Sequence, residues 1–294
     1  MKIKNLLIAT LAIFGLTSCL SGSNDDQHYI AALSDCINYV ENTQSGDVNV
    51  TGGAKYSIDV NITQSTLDLV IDGVQLTPGG GSLVLNLKDI PCSYDKDGNL
   101  VANTLTYTSG SNTITNFSFK MRQRYLNATS YIPVFDITFN INGSYFVRTF
   151  QSSTFYFGTT NVQVINTSTQ TNTDKTFYTV TFDKTKIGEG NNVSANLYIY
   201  SAKFADKMPK MDLMIFNIPA KLGRDGYTLA GDNLKVYTGT VTNPVEQPDY
   251  PVTGLTGTGI ITKGLTLNFT VASRFILSAD LGYSFTEGVI EDLQ

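Results

Sequence analysis

Few residues in this chain have side chains suited to catalysis, and their spacing favours no catalytic centre. His28 is the only histidine, and it lies near the N-terminus close to Asp26. A Ser-His-Asp or Cys-His centre therefore has no base in the rest of the chain, and a zinc site has no histidine ligand there. No pair of carboxylates stands out as an acid and a base. We expect no catalytic residues, no cofactor and no bound metal, and predict that the protein is not an enzyme.

One acidic stretch, Asp95-Lys96-Asp97-Gly98-Asn99, superficially resembles a calcium-binding loop. Its glycine stands at the fourth position rather than the sixth, and Thr106 occupies the position of the bidentate glutamate. A related stretch, Gly223-Arg224-Asp225-Gly226-Tyr227, lacks the first acid. Both stretches are therefore predicted to be hairpin turns.

A cysteine follows the apolar beginning of the chain. Lysines precede the apolar run Leu6–Phe14, and Leu16-Thr17-Ser18-Cys19 comes after it. This pattern is typical of a secretory signal peptide that is too short to span a membrane permanently. The quartet resembles the lipobox of bacterial lipoproteins. The resemblance implies that residues 1–18 are removed as a signal peptide and that Cys19 carries acyl chains, which anchor the protein in a membrane.

The residues after Cys19 resemble lipoprotein sorting signals. Leu20 rather than aspartate follows the cysteine, as in the outer-membrane class. Asp25 and Asp26 resemble the acidic export signal of Bacteroidota surface lipoproteins. The alternative is a plain solvated tether, and we assign residues 19–35 to the tether in either case. The resemblance implies a lipid-anchored protein of the outer membrane, exposed at the cell surface.

Two further cysteines, Cys36 and Cys92, form an even pair in an oxidising compartment. A disulfide between them would close a loop of about 57 residues and contribute roughly 4 kcal/mol on the chain-entropy model. Both cysteines also lie beside apolar residues, as unpaired buried thiols do. The sequence leaves both alternatives open.

Composition predicts an all-β protein with two domains. The chain has 294 residues, which exceeds one typical domain. β-branched, aromatic and small polar residues dominate, and helix-periodic stretches are nearly absent. The formal net charge of −5 comes with scattered lysines, so we expect no nucleic acid among the partners.

A shift of about 128 residues aligns the chain with itself. Leu67–Ala102 matches Ala195–Ala230 without a gap. The identities are Leu69/Leu197, Ile71/Ile199, Leu85/Leu213, Ile90/Ile218, Pro91/Pro219, Asp97/Asp225, Gly98/Gly226 and Ala102/Ala230. Further on, Ile137–Val147 matches Leu267–Leu277. The match predicts a duplicated β-domain, with one copy over residues 36–150 and the other over residues 155–294.

The spacing of the repeated residues indicates strands with one buried face. Apolar residues recur at every second position in both copies. Pro91 and Pro219 are expected to end a strand, because proline cannot donate to a β-ladder. Asp97-Gly98 and Asp225-Gly226 are expected to form hairpin turns with a glycine at positive φ. Each copy has room for seven or eight strands, which fits an antiparallel β-sandwich or a small barrel.

The order of these motifs resembles the calycin-like, or lipocalin-like, lipoprotein domains of Bacteroidota. The resemblance rests on a strand, an Ile-Pro step, the Asp-Gly turn, the segment VTGLTGTG at Val252–Gly259 and a final alternating strand. It implies two tandem up-and-down barrels.

Two tyrosines are candidates for contact with a ligand. Tyr198 and Tyr200 fall on the strand face opposite Leu197 and Ile199, where they could stack on a sugar or contact a partner. The alternative is that they pack against the other domain or line a sheet that is covered on both faces. A basic ladder, Lys120, Arg122 and Arg124, is expected to be a solvated strand face or an edge-strand guard.

The sequence therefore predicts a non-catalytic, lipid-anchored surface protein that binds a glycan, a small apolar ligand or a protein partner. The alternative is a structural protein such as a fimbrillin-like pilin subunit. A pilin of this type needs an arginine-directed cut near the start of its first domain. The first arginine in the chain is Arg122, which argues against this alternative.

Overall fold

The computed structural model describes residues 27–127, 130–165, 169–204 and 209–283, which form two tandem closed barrels. The described residues form strands, turns and loops, and they include no helix that could cross a membrane. The predicted signal peptide, Cys19 and Asp25-Asp26 lie outside the described residues. Cleavage, lipidation and export therefore stay predictions.

The first barrel consists of eight antiparallel strands in sequence order. They are β1 (His28–Asn42), β2 (Val48–Asn61), β3 (Thr66–Gln75), β4 (Ser82–Tyr94), β5 (Leu100–Ser109), β6 (Asn112–Asn127), β7 (Ser130–Ile141) and β8 (Tyr145–Phe150). Pairing of β1 with β8 closes the barrel, with Ile37 opposite Phe150 and Asn42 opposite Tyr145. The up-and-down order confirms the barrel over the sandwich.

Inward and outward side chains alternate along the strands, and the inward ones fill the first barrel. Inward side chains form one hydrophobic cluster, and its largest fully buried members include Tyr56, Phe117, Phe119 and Phe139. Outward positions between them are mostly polar and exposed, as in β4, where buried and exposed residues alternate. An eight-stranded barrel is just wide enough for such side chains to occupy its interior.

The second barrel repeats this order with one insertion. Its strands are β9 (Ser153–Val164), β10 (Thr169–Ile187), β11 (Asn192–Ala202), β12 (Met211–Leu222), β13 (Gly226–Gly231), β14 (Val236–Thr240), β15 (Asn243–Glu246), β16 (Val252–Ile260), β17 (Gly264–Val271) and β18 (Phe275–Gly282). Strands β9 to β13 and β16 to β18 close into a barrel through the pairing of β18 with β9. The hairpin β14–β15 extends from β12 and has no counterpart in the first barrel.

The duplication extends to irregular backbone positions. Asp89 in β4 and its repeat partner Asn217 in β12 both adopt positive φ, at 54° and 59°. In each barrel a side chain of the preceding strand accepts a hydrogen bond from this residue: Asp68 Oδ1 from Asp89 N (2.8 Å), and Asn196 Oδ1 from Asn217 N (3.1 Å). We call this arrangement the bulge latch. Because both copies keep the bulge latch, the repeat is present in the backbone structure as well as in the amino-acid sequence.

The expectation that Pro91 and Pro219 end their strands is wrong. Strand β4 continues to Tyr94 and β12 to Leu222. Each proline lies just after the positive-φ residue of the bulge latch, where the register with the preceding strand shifts. Pairing of β4 with β5 begins only at Cys92. Pro91 therefore faces no residue of β5 that would accept a hydrogen bond from a backbone N–H, which proline lacks.

The two Asp-Gly turns differ in detail. Gly98 has φ 73°, as predicted, and its N–H bonds to the carbonyl of Asp95 at 3.0 Å. Gly226 is not among the glycines with positive φ. A Cβ there would lie 1.9 Å from the carbonyl oxygen of Gly259 on the paired strand, so close backbone approach requires this glycine.

The predicted tether is shorter than expected. Residues 28–35 belong to β1, and Ala31 and Leu33 are buried in the first barrel. Buried and exposed side chains alternate in this stretch, but a positive φ at Asp35 and a shift in register with β2 interrupt the alternation. This bulge breaks the two-residue periodicity by which a strand is recognised in a sequence.

One wall of the first barrel packs on the end of the second. Outward residues Ile37 and Tyr39 of β1 and Phe150 of β8 join the hydrophobic core of the second barrel. Phe150 meets Phe182 edge-on, with ring centroids 6.2 Å apart. Phe182 in turn contacts Tyr227 at 5.0 Å. Aromatic side chains therefore form the centre of this contact.

Charged groups surround the apolar contact between the barrels. Arg224 donates two hydrogen bonds to Glu41, at 2.7 and 2.8 Å, and its guanidinium lies over the ring of Phe146. Lys184 pairs with Asp35, the bulge residue of β1. Arg122 is buried and donates to the carbonyl of Ile261 at 2.8 Å. The expectation of a solvated basic ladder is therefore wrong for Arg122, which joins the two barrels.

Candidate functional site

The second barrel carries a cluster of aromatic side chains on its outer face. The cluster spans neighbouring strands in the order β9, β10, β11, β12 and β14. We call it the aromatic wall, and its members are Phe155, Phe157, Phe177, Tyr198, Tyr200, Met214, Phe216 and Tyr237.

Strand alternation places these residues on the outside. Leu197 and Ile199 of β11 point into the barrel core, so Tyr198 and Tyr200 point away from it. The same alternation separates inward Tyr178 from outward Phe177 in β10. The local sequence therefore dictates the orientation of each ring without help from loops.

Lateral ring contacts connect the wall. Phe177 stacks on Phe155 and Phe157, with centroids 5.6 and 4.9 Å away, and lies 4.7 Å from Tyr200. Phe216 contacts both Tyr198 at 6.1 Å and Tyr237 at 5.2 Å. All these pairs join residues of neighbouring strands. These contacts form two groups of rings, and both groups pack with Met214 in one hydrophobic cluster.

The predicted contact residues Tyr198 and Tyr200 lie near the middle of the wall. Their exposed fractions are only 9% and 8%. Burial raises the pKa of both phenols, so both are neutral at physiological pH. They can donate and accept hydrogen bonds at a surface that is otherwise apolar. The structure does not test their role in binding, which stays a prediction.

Polar groups lie between and beside the rings. Asn196 donates to Thr181 Oγ1 at 3.4 Å on the same outer face, below the tyrosines. At the other end, Asp212 Oδ1 accepts a hydrogen bond from the N–H of Ser201 at 2.9 Å. Lys203 directly follows β11, and Lys210 directly precedes β12. The wall is therefore apolar at its centre, with charged residues at this edge.

Cys36 and Cys92 are separate buried thiols and do not form a disulfide. They lie on β1 and β4, which are not neighbours in the first barrel. A disulfide requires Cα atoms within about 4.4–6.8 Å, which strands three places apart do not offer along the wall. Burial raises the pKa of Cys36 to about 12, and it raises that of Cys92, so both are unreactive protonated thiols at neutral pH.

The other polar groups considered for chemistry have structural partners. His28 contacts Asp59 Oδ1 at 2.7 Å. Asp95 accepts hydrogen bonds from Lys120 and from Asn99, and these hydrogen bonds lower the pKa of its carboxyl group. Across the described ranges, no group of three or more His, Cys, Asp or Glu side chains is placed to hold a metal ion. The Asp95 stretch is a hairpin turn, as expected.

Hydroxyl networks lie inside both barrels. In the first, Thr149 donates to the Tyr56 hydroxyl, which donates to Asn38 Oδ1 at 2.6 Å. In the second, the hydroxyls of Tyr156 and Tyr227 lie 2.6 Å apart. Burial, as the main cause, raises the pKa of all three tyrosines. These groups are protonated and hydrogen-bonded within the core, so their arrangement stabilises the interior.

Sequence reasoning found two residues of the wall and missed the rest. The repeat comparison began at Leu67/Ala195 and therefore left β9 and β10 without counterparts. The alternating run Phe155-Tyr156-Phe157 was a usable signal, because it places two rings on one strand face. No protein-family model, curated protein or solved structure matches this chain.

Proposed function

We propose that this chain is a non-catalytic binding protein, anchored in the outer membrane through lipid on Cys19 and displayed at the cell surface. In this proposal its barrels are calycin-like scaffolds, and its aromatic wall contacts a macromolecular partner. The single observation that carries the binding role is the cluster of outward aromatic side chains around Tyr198 and Tyr200. The lipobox and the acidic Asp25-Asp26 pair support the location.

The filled interiors favour a macromolecular partner over a small apolar ligand. Inward side chains of the first barrel pack on one another as one cluster, with Leu69 and Phe119 fully buried. Small-molecule sites are concave and bury most of the ligand surface. A flat wall of rings instead suits a glycan chain or a protein surface, since aromatic side chains are enriched where such contacts are strongest.

The chemistry of the wall also limits the partner. Its members carry no formal charge, and the overall charge of the chain is −5. The uncharged centre of the wall offers no cation to the phosphates of a nucleic acid. Tyrosine rings with neutral hydroxyls fit uncharged sugars or mixed apolar and polar protein surfaces.

Site-specific photo-crosslinking in cells tests the binding role. A photoreactive amino acid replaces Tyr200, and a matched variant carries it at Asp72, the repeat position in the first barrel. We expect a cross-linked adduct of higher mass from position 200 and none from position 72. Glycosidase treatment of the adduct separates a glycan partner from a protein. Equal adducts from both positions, or none from position 200, would contradict the proposal.

Acyl labelling tests the anchor. Cells fed an alkyne fatty acid should label the wild-type chain and Cys92→Ser, but not Cys19→Ser. Added protease should degrade the protein on intact cells if it is exposed at the surface. Labelling that persists in Cys19→Ser would refute the anchor. Protection in intact cells with loss in lysed cells would refute display at the surface.

Burial of Arg122 weighs against the pilin alternative. A pilin of the fimbrillin type needs an arginine-directed cut near the start of its first domain, and Arg122 is the first arginine. Its side chain is 7% exposed and bonds across the contact between the barrels. A protease would have to separate the barrels to reach it.

A further inference from the structure

Strand β1 extends beyond the strand that closes the first barrel. Its pairing with β8 covers only Ile37–Asn42, so the nine residues His28–Cys36 precede this pairing. In the second barrel, only the four residues Ser153–Tyr156 of β9 precede its pairing with β18. Of the strands that the structure describes, only β2 pairs with Ile30–Leu33. We call this stretch the open edge of β1.

The ladder with β2 decides which backbone groups of the open edge point away from it. Ile62 N donates to Gln27 O at 2.7 Å, so Gln27 and Ile62 form a hydrogen-bonded pair. Such pairs alternate with non-hydrogen-bonded pairs along an antiparallel ladder. The register places Ile30 and Ala32 in non-hydrogen-bonded pairs. The N–H and C=O groups of these two residues therefore point away from β2.

Elsewhere in this barrel, side chains accept hydrogen bonds from N–H groups that the ladders leave over. Ser109 Oγ accepts from Asn86 N at 2.8 Å, where β4 is not yet paired with β5. Gln151 Oε1 accepts from Phe135 N at 3.0 Å, just after the end of β8. At the open edge of β1, no described side chain does the same. Its outward N–H and C=O groups are therefore available to an added strand.

We propose that the open edge of β1 pairs with the open edge of a second copy of this chain. In this antiparallel pairing, Ile30 lies opposite Ala32 of the partner subunit, and Ala32 lies opposite Ile30 of the partner subunit. Each of these two residue pairs exchanges two main-chain hydrogen bonds. The arrangement has twofold symmetry about Ala31, so the same edge serves both chains. The inference goes beyond the proposed function, because the open edge and the aromatic wall lie on different barrels.

The side chains of the open edge suit contact with a second copy. Ile30 is 46% exposed on the outer face of the barrel, and Ala32 is exposed on the same face. In the proposed pairing the large apolar side chain of one chain lies beside the small one of the other, which buries apolar area of both. Edge strands that avoid such pairing commonly carry lysine or proline. The open edge, with the sequence Ile-Ala-Ala-Leu, has neither.

Charged groups beside the open edge do not oppose the pairing. Asp59, which lies opposite Ile30 on β2, contacts the ring of His28 at 2.7 Å. Asp35, at the bulge that follows the open edge, pairs with Lys184. Each of these carboxylates therefore has a basic partner within its own chain. A second copy approaches charges that are already matched.

The proposed anchor favours a second copy over another occupant. Cys19 lies nine positions before His28, the first residue of β1. Copies anchored there would lie in one membrane plane and present their open edges at the same height, which raises their effective concentration. This argument rests on the proposed function, whereas the hydrogen-bonding pattern of the open edge does not.

Photo-crosslinking in cells tests the pairing. A photoreactive amino acid replaces Ile30, and the matched variant carries it at Val84, which is 54% exposed on β4 of the same barrel. We expect an adduct with the mass of two chains from position 30, linked to the open edge of the second copy, and none from position 84. An adduct with a different protein, no adduct from position 30, or equal dimers from both positions would overturn the proposal.

Analytical ultracentrifugation of the purified full-length chain gives a second measurement. Ala32→Pro removes a backbone N–H that points away from β2, so the ladder within the barrel and the circular dichroism spectrum should be kept. Each dimer loses two hydrogen bonds, and its dissociation constant should rise at least about tenfold. Ala32→Ser keeps the N–H and should dimerise like the wild type.

Two sedimentation results would contradict the pairing: a wild-type chain that is monomeric at every concentration, or an unchanged dissociation constant for Ala32→Pro. Both are distinguishable from failure of the proposed function. If the adduct from position 200 persists while the dimer is absent, only the pairing is refuted. If the dimer forms while position 200 gives no adduct, only the binding role of the aromatic wall is refuted.

Discussion

Equivalent outer faces of the two barrels carry side chains of different polarity. Repeat and register place Tyr198 and Tyr200 of the second barrel at the positions of Val70 and Asp72 in the first. They place Phe177 at the position of Lys55. Asn86 and Lys88 stand in the first barrel where Met214 and Phe216 stand in the second. The first wall is polar and largely exposed, and the second is aromatic and mostly buried.

The difference separates what the fold needs from what the second barrel adds. Both barrels keep apolar residues at inward positions, the bulge latch and the antiparallel order of the barrel strands. The first barrel closes with charged residues on its outer wall, so closure does not require rings there. An exposed aromatic outer face lowers the solubility of a protein unless another surface covers it. The comparison therefore supports the proposal that the second barrel is the binding half of the molecule.

The largest expected effects test the shared interior. Leu69→Ala and Leu197→Ala, at equivalent inward positions that are fully buried, should each lower the free energy of unfolding by about 3 kcal/mol. The reason is lost apolar burial plus the cavity left behind. Urea unfolding followed by circular dichroism gives both values. Val70→Ala, on the outer face, is the control and should lose less. A loss below about 1 kcal/mol for either leucine would show that the barrels are not equivalent inside.

The next effect tests the difference between the walls. Phe177→Ala removes the ring that contacts three others, and should lower the free energy of unfolding by up to about 3 kcal/mol. Lys55→Ala, the matched change in the first barrel, is exposed and should stay within about 0.5 kcal/mol of the wild type. The measurement is again urea unfolding. Similar losses from both changes would remove the contrast on which the binding role depends.

Much of this contrast was accessible from the sequence, because outward and inward residues alternate in both copies. The pattern predicted paired β-domains, and the repeat comparison singled out Tyr198 and Tyr200 against Val70 and Asp72. Closure into a barrel depends on the pairing of β1 with β8, residues that are far apart in the chain. Periodicity within a strand carries no information on such pairing, so a sandwich stayed open as an alternative.

Contacts between the barrels could not be predicted for a related reason. Arg122 lies in a ladder of alternating basic residues, which usually marks a solvated face. Its partner is the carbonyl of Ile261 in the second barrel, a residue far along the chain that the local pattern does not reveal. Likewise, the prolines at 91 and 219 looked like strand ends, since the positive φ of Asp89 and Asn217 cannot be read from residue type alone.

A smaller effect tests the equivalent turns that follow β4 and β12. Arg224→Ala removes the two hydrogen bonds to Glu41 and should lower the free energy of unfolding by about 1 kcal/mol or less, since the guanidinium is partly exposed. Lys96, at the repeat position in the first barrel, is exposed, and Lys96→Ala should change nothing measurable. Thermal unfolding at low salt compares the two. An equal loss in both variants would mean that Arg224 does not hold the barrels together.

The same contact should depend on pH. The hydrogen bonds from Arg224 are the largest cause that lowers the pKa of Glu41 in the folded protein. A carboxyl group with a lowered pKa stabilises the fold above its unfolded pKa of about 4.3, and this contribution is lost as the pH falls through the folded value. Wild type should therefore lose more stability than Glu41→Gln between about pH 5 and pH 3. Parallel pH profiles would rule out this contact as the source.

A comparably small effect tests the bulge latch, where the two barrels use different residues for one task. Asp68→Ala and Asn196→Ala each remove the acceptor for a backbone N–H, and should each lower the free energy of unfolding by about 1 kcal/mol. Asp68→Asn installs the residue that the second barrel uses at this position, keeps an acceptor oxygen and should stay close to wild type. Amide hydrogen exchange at Asp89 and Asn217 locates the effect, because only the N–H that lost its acceptor should exchange faster. If Asp68→Asn were as damaging as Asp68→Ala, the carboxylate charge rather than the hydrogen bond would hold the bulge, and the two latches would not be equivalent.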